Sequence, residues 1–374
     1  MDDAGAPLVD KVGSLSDLEL AALLCLVAEH HAIIEADEAS LDALQEELQL
    51  IAARIFGLSC SVLECSDKTT IDDFGTGLLV EDEDISYFPS ATSHHPEQEN
   101  VLPSLGLTES RRTTHHFSPK APVDNRKIAN VVIAKNLDRA QHQVQIQALE
   151  LIRGKRIFTR TAVHSVPKRF LFIALLSSAT ETGLTPHLNH QFFISHYHQE
   201  EDGLPNVEEL KGSPHPGDDA ASISSVVRPS LGLADASPKA HAGPPLFSHG
   251  DIDELIKLVS EVRMSSEVRA YLHNIVVFLR LHRAVAGGIS AFATRHFVTL
   301  AKSLAPLHGT TYVAPSLVAL AARKIYPHRI VITAPENERS MQWGSSLDAV
   351  KEALEGITVE DIIEDVLQQV EVPL

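Results

Sequence analysis

Two short runs constrain this chain more than any other feature. Val131-Val132-Ile133-Ala134 and Phe170-Leu171-Phe172-Ile173-Ala174 carry no polar side chain. A strand with one wet face alternates apolar and polar residues. A strand without alternation must be covered on both faces, and that is the habit of parallel sheets flanked by helices. Shorter runs, Ala32-Ile33-Ile34-Glu35 and Ser61-Val62-Leu63-Glu64-Cys65, predict two further strands. Amphipathic helices fall between them. Leu41, Leu44, Leu48, Ile51 and Ala52 repeat at three-to-four spacing, with Gly57 as the stop. Val144, Ile146, Ala148, Leu149 and Ile152 do the same after the third strand. Arg156-Ile157-Phe158 and Thr161 to Val163 predict a hairpin. The fold class is therefore α/β, with a largely parallel sheet and flanking helices.

Composition shifts divide the chain. Residues 1–14 form an N-terminal tail and 15–198 the α/β domain. Within it, 81–126 is a polar insert containing EDED, SHHPEQEN and RRTTHHFSPKAP. A second stretch, 199–248, is rich in Pro, Gly, Ser, Asp and Glu. Both lack the aliphatic residues that offset chain entropy, so the insert is expected to be mobile and 199–248 a disordered linker. Residues 249–374 predict an all-helical domain. Its helices run from Asp251 to Val262, from Glu267 to Val285, from a Ser290 or Thr294 cap to Leu307, and from Pro315 to about Tyr326. One or two more lie in 346–370.

Several function classes fall away on charge and composition. With 31 basic and 50 acidic residues the net charge is −19. Such a field repels phosphate backbones and argues against nucleic-acid binding driven by bulk charge. Three cysteines give neither a disulfide scaffold nor a Cys₄ zinc site and suit reduced thiols. No run approaches the ~18–20 apolar residues of a membrane span. The acidic start, MDDAGAPLVD, lacks the pattern of a signal peptide. Cytoplasmic or nuclear residence is the expectation.

The last block carries a resemblance. Gly288, Ser290, Ala293, Gly309, Tyr312, Val313, Pro315, His328 and Arg329 fall at the spacings of the helical lid of AAA+ ATPases. The chain resembles the MoxR and magnesium-chelatase ATPase-subunit group of that class, most closely over 249–345 and also over 15–198. It is similar to a fungal group, some of whose members carry the magnesium-chelatase label, and to the yeast family named for maintenance of telomere capping. Val268-Arg269-Ala270-Tyr271-Leu272, Leu279-Arg280-Leu281-His282-Arg283, Tyr312 to Ser316 and Trp343-Gly344-Ser345 carry this. The resemblance implies an AAA+-like parallel sheet followed by a lid.

It also permits a test of nucleotide chemistry. A P-loop needs glycines to bring backbone N–H groups around phosphates, a lysine for the β/γ-phosphates and a hydroxyl for Mg²⁺. The equivalent segment, Glu35 to Ala43, has no glycine. Ala36 opens it, Asp42 stands at the lysine position and Ala43 at the hydroxyl position. The Walker B strand should end in two acids. Here it ends in Lys135-Asn136, and a protonated lysine cannot ligate a cation. The sensor strand runs on as Leu175-Leu176-Ser177-Ser178 in place of its polar Asn. Gln191 replaces the arginine offered to a neighbouring subunit, and Phe292 replaces the lid arginine. The expectation is a non-catalytic scaffold or assembly subunit with no cofactor and with protein partners, an oligomer remaining open. The alternative is a magnesium-chelatase-type ATPase subunit using ATP and Mg²⁺. A second alternative is a telomere or genome-maintenance factor.

Other candidates have bland rivals. His196-x-His198 places two imidazoles on one strand face, as two metal ligands would lie, yet no Cys-x-x-Cys or His-Glu-x-x-His is present. The metal expectation is none. Cys25, Cys60 and Cys65 suit core packing better than redox work. No Gly-x-Ser-x-Gly elbow supports a hydrolase. The lid is basic, and Arg280, Arg283, Arg295 and Arg329 are its candidates for an acidic partner. Solvated helix faces or, at Arg283, a structural place in the interdomain cleft are the competing readings.

Overall fold

Strands with two apolar faces find cover on both. The computed structural model describes residues 6–81, 126–160, 162–179, 183–212 and 244–373. Its first elements are α1 (Ala6–Gly13), α2 (Asp17–Ala28), β1 (Ala32–Ala36), α3 (Leu41–Leu50), β2 (Cys60–Glu64), α4 (Ile71–Gly77) and β3 (Leu79–Val80). After the insert come β4 (Lys127–Ile128), β5 (Val131–Lys135), α5 (His142–Gly154), the hairpin β6 (Arg156–Phe158) and β7 (Val163–Ser165), β8 (Leu171–Ser177), the short α6 (Pro186–Asn189), β9 (Ile194–Tyr197) and α7 (Pro205–Gly212). The C-terminal region holds α8 (His249–Glu261), α9 (Ser266–Leu281), β10 (Val285–Gly287), α10 (Ala291–Leu307), α11 (Pro315–Ile325), β11 (Val331–Ile332), α12 (Leu347–Leu354) and α13 (Val359–Gln369).

Five strands form the main sheet in the order β2-β5-β8-β1-β9, every neighbouring pair parallel. Alternation sorts their side chains. Ile33, Val132, Phe172 and Ala174 enter one core with α5, Phe74 and Phe192. Ile34, Ile133 and Ile173 enter the other, which is shared with α2, α3 and the lid helices α8 to α11 and α13. The lid is thus continuous with the sheet's own core. Local sequence sets the helix ends. Ser16 and Glu19 close a reciprocal cap on α2, Ser290 caps α10 through the Ala293 N–H at 3.1 Å, and Pro315 opens α11.

Three expectations are corrected. The N-terminal tail is a docked helix from Ala6, with Leu8 and Val12 buried and Lys11 bound to Asp251 at 3.0 Å. The expected linker 199–248 is ordered at both ends. Glu47, fully buried on α3, accepts from the Asn206 N–H at 3.1 Å, the Asn206 amide at 2.7 Å and the Val207 N–H at 2.9 Å. At the far end Phe247 is fully buried, its N–H donating to the Ile55 carbonyl at 2.8 Å. Gly57, at φ +61°, lies beneath Pro245, so only glycine satisfies both the backbone and the close approach. Residues 213–243 of that stretch, and 82–125 of the expected mobile insert, lie outside the described residues. Last, α9 stops at Leu281 rather than at Val285. Val285 pairs with Ile332, and the Ala284 carbonyl accepts the Thr333 N–H at 2.8 Å, so the chain leaves the helix for a two-stranded ribbon.

The Glu47 anchor generates a stability prediction. Glu47→Ala strands the two buried backbone N–H groups of Asn206 and Val207, while the Asn206 amide keeps Glu19 at 2.8 Å, and each unsatisfied group costs about 1–3 kcal/mol. Allowing for partial relaxation, urea unfolding should show a loss of about 3 kcal/mol. Limited proteolysis should then cut first near Pro205–Gly212.

Candidate functional site

In an open parallel sheet, ligands gather beyond the carboxyl ends of the strands where the chain order reverses. Here that point lies where β1 meets β8, since the chain leaves β1 and places β2 at the far edge. The segment after β1 is short. Ala36 is the fully buried end of the strand, Asp37 follows, and a tight turn of 3₁₀ helix, Glu38–Ser40, leads directly into α3. No glycine loosens this turn into a cradle of N–H groups.

Its acids are engaged. Asp42, in the first turn of α3, forms an ion pair with Lys135, the last residue of β5. The Lys135 ammonium also lies 3.9 Å from Glu64 at the end of β2, with its side chain 10% exposed. Asp37 accepts from the Ser178 hydroxyl at 2.9 Å and from the Tyr197 hydroxyl at 3.2 Å. Glu38 is bound by Arg139 at 2.9 Å. Asp42 and Lys135, 93 residues apart in sequence, therefore meet as opposite charges at this edge. Four carboxylates (Asp37, Glu38, Asp42, Glu64) now surround two cations, so a polyphosphate approaching this edge meets net negative charge. Asn136 turns the chain at φ +55°, a left-handed conformation asparagine tolerates, and its N–H donates to the Leu175 carbonyl at 2.8 Å. Ala43 is half-buried beside Asp42.

The other candidate positions scatter. Gln191 sits in the turn between α6 and β9, with its N–H on the Leu188 carbonyl at 2.9 Å. Phe292 stacks on His296 with ring centroids 4.2 Å apart, and Arg295 lies over the same ring at 5.3 Å. Arg329 is corrected as a partner residue. It is 2% exposed and binds the Phe192 carbonyl, the Ile325 carbonyl at 3.3 Å and His296 Nδ1 at 2.7 Å. It joins the lid to the start of β9. Arg280, Arg283 and Arg295 are exposed. Arg280 donates to the Ile289 carbonyl at 3.1 Å, and Arg283 lies 3.8 Å from Glu338.

His196 and His198 are both buried at the edge strand, and with Asp202 they place ligand atoms within 4.8 Å of one another. Sequence reading found the pair but not Asp202, whose spacing follows no standard ligand pattern. Lys324 sits 3.2 Å from His196 Nδ1, so a cation already borders the cluster. Burial pushes the Cys60 thiol up to about 12, and burial with nearby Asp138 and Glu64 does the same for Cys65. Burial alone raises Cys25 further. These are packing thiols.

Comparison with known proteins follows this geometry. Residues 277–350 match the AAA lid domain family. Maintenance of telomere capping protein 2 from Lachancea thermotolerans is 30% identical over 109 residues, covering 28% of this chain and 38% of that protein. The protein of the same name from Kluyveromyces lactis is 26% identical over 102 residues, covering 26% of this chain and 37% of its own length. The Saccharomyces cerevisiae protein is 32% identical over 102 residues, covering 26% and 29%. The aligned part thus spans well under half the length of these relatives. A crystal structure from Cytophaga hutchinsonii, provisionally described as an ATPase, superposes with a TM-score of 0.61 at 14% identity, covering 99% of this chain and 94% of that one. At that identity the likeness shows the fold. The chain has the fold of an AAA-type ATPase, a parallel α/β sheet followed by an AAA lid.

The junction between lid and sheet generates a pH prediction. Burial first, then Arg329 and Lys155, lowers His30 to about 4. Burial, then His30 and Lys155, lowers His31 to about 3. Burial, then Arg329 and His30, lowers His296 to about 2. All three start from an ordinary 6.5. The folded values lie below the unfolded ones, so the unfolded chain takes up protons first. Their contribution is complete above pH ~6.5 and is lost progressively as pH falls from there to the folded values of about 4, 3 and 2, each group costing at most about 1.4 kcal/mol per pH unit. Urea midpoints should fall between pH ~6.5 and ~5. His296→Phe should make that decline shallower.

Proposed function

We propose that this chain is a non-catalytic AAA+-like scaffold or assembly subunit whose nucleotide site is closed by its own ion pair. The observation that carries this reading is the Lys135–Asp42 contact at the mouth of the sheet. Phosphoryl transfer needs a metal held by acids, an ordered water and positive charge on the transferring group. Lys135 and Asn136 supply no acid, Asp42 supplies negative charge where positive is needed, and Gln191 and Phe292 supply no arginine. What the fold retains is shape: a sheet, a lid and an exposed basic rim at Arg280, Arg283 and Arg295 facing protein partners. The names of the yeast relatives favour a place in telomere or genome maintenance, hence in the nucleus. With the bulk charge at −19, that role runs through proteins rather than through the nucleic-acid backbone.

Purified protein with Mg²⁺ and ATP should release no phosphate above a mock preparation. The paired variant Asp42→Lys with Lys135→Asp restores the usual polarity and should fold. It should still not turn over, because a trans arginine alone is worth ~10³–10⁵ in rate. Wild-type turnover abolished by Asp42→Ala would sink the proposal and make the chain an ATPase of the magnesium-chelatase type.

The rim has its own test. Affinity capture from the native cell should lose its principal partner when Arg283 and Arg295 both become Gln. Stability should change by no more than about 0.5 kcal/mol, as expected of surface positions. Retained capture with a lowered melting temperature would assign these arginines to structure instead.

A further inference from the structure

A cavity of about 260 Å³ lies where the lid meets the turn after α6. His190, Arg280, Arg339, Ser290 and the Val285–Gly288 ribbon line it. It is not the edge that holds Lys135 and Asp42. His190 leads into β9, whose first residue pairs with the first residue of β1, whereas Asp42 follows the end of β1 and Lys135 is the last residue of β5. The pocket therefore flanks the opposite end of the strands.

Its lining is cationic. Arg280 Nε is fixed by the Ile289 carbonyl at 3.1 Å, and Arg339 donates to the carbonyls of Arg280 at 2.8 Å and Leu281 at 3.3 Å. Neutral carbonyls orient both guanidinium groups, and Glu338 offsets part of the Arg339 charge while leaving Arg280. No carboxylate is among the described lining residues. The acid next in the chain, Glu338, is held by Ser340 at 2.9 Å through its N–H and lies 3.8 Å from Arg283. His190 adds a ring nitrogen, Nδ1, that is buried and has no partner among the described residues. The 17-residue α10 begins at the same wall behind its Ser290 cap, adding the positive end of a helix dipole. Gly288, at φ +100°, brings the backbone against the Arg329 carbonyl where a Cβ would overlap it, which closes the floor of the pocket.

We infer that this pocket binds a phosphate group, bridging the α/β domain through His190 and the lid through Arg280 and Arg339. A phosphate monoester carries about −1.5 to −2 charge near neutral pH, which two guanidinium groups and a helix N-terminus match better than they match a single carboxylate. The volume lies below the ~300–1,000 Å³ of pockets for drug-sized ligands. It suits a phosphate on a short tail, not a nucleoside triphosphate. The phosphate comes either free or small-molecule-borne, or from a phosphoserine side chain of a partner. The inference is independent of the scaffold reading.

The test is calorimetric titration of the full chain in phosphate-free buffer. One arm uses inorganic phosphate. The other uses a short phosphoserine peptide against its unphosphorylated form. Saturable binding of phosphate with a Kd below about 1 mM is expected. Tighter binding of the phosphopeptide assigns the source to a protein, and equal or weaker binding assigns it to a small molecule. Arg280→Gln should weaken binding at least ~10-fold, as loss of one charge-assisted contact of ~1.5 kcal/mol or more does. Arg153→Gln, on α5 and away from the pocket, should not. Arg339→Gln also loosens the end of α9, so Arg280→Lys serves as the fold-preserving variant; it keeps the charge, loses the fork and should bind more weakly than wild type. Absence of saturable binding to the wild-type chain, or undiminished binding to Arg280→Gln, overturns the inference.

Discussion

A parallel strand buried on both faces has no solvent side, and everything else in this molecule answers that constraint. One face of the sheet is covered by α5, Phe74 and Phe192, the last packed against Phe172 of β8. The other is covered by α2 and α3, and the helices of the lid close over α2 in the same core. The lid is therefore not an appendage joined by a strap. Arg329 reinforces the union by taking buried carbonyls from both parts, and the neutral imidazoles around it avoid adding a second buried charge.

The edge of the sheet beyond β1 is organised by a small number of charges. Asp37, Glu38 and Asp42 would be mutually repulsive around an empty turn. Each instead meets a donor from another element: Ser178 and Tyr197, Arg139, and Lys135. These contacts hold the glycine-free turn in place between β1 and α3.

The sequence made the sheet legible because strands without alternation admit few alternatives, and because helix caps such as Ser290 and Pro315 are local. It made the AAA-type lid legible through the spacing of Gly288, Ser290, Gly309, Tyr312 and Pro315, which falls within the residues that match the lid family. The pairing of Asp42 with Lys135 escaped notice because 93 residues separate them, although two reversed charges at two facing positions were the available signal. Arg329 was read as surface because nothing local marks a buried arginine; its partners are carbonyls, which every residue has. The helix α7 was missed for a related reason. Its sequence is polar and short, and its stability comes from Glu47 in a helix far upstream.

The Asp42–Lys135 pair also limits which substitutions this edge accepts one at a time. A change of Asp42 to Lys alone would set two ammonium groups against each other across the mouth of the sheet. A change of Lys135 to Asp alone would gather that carboxylate with Asp42 and Glu64. Asp42 is 87% exposed, so solvent screening holds each such repulsion to about 1 kcal/mol. Each single reversal is still penalised, and only the double one is smooth. The ion pair works as a latch: either reversal alone places like charges together, so the two positions can exchange sign only as a pair.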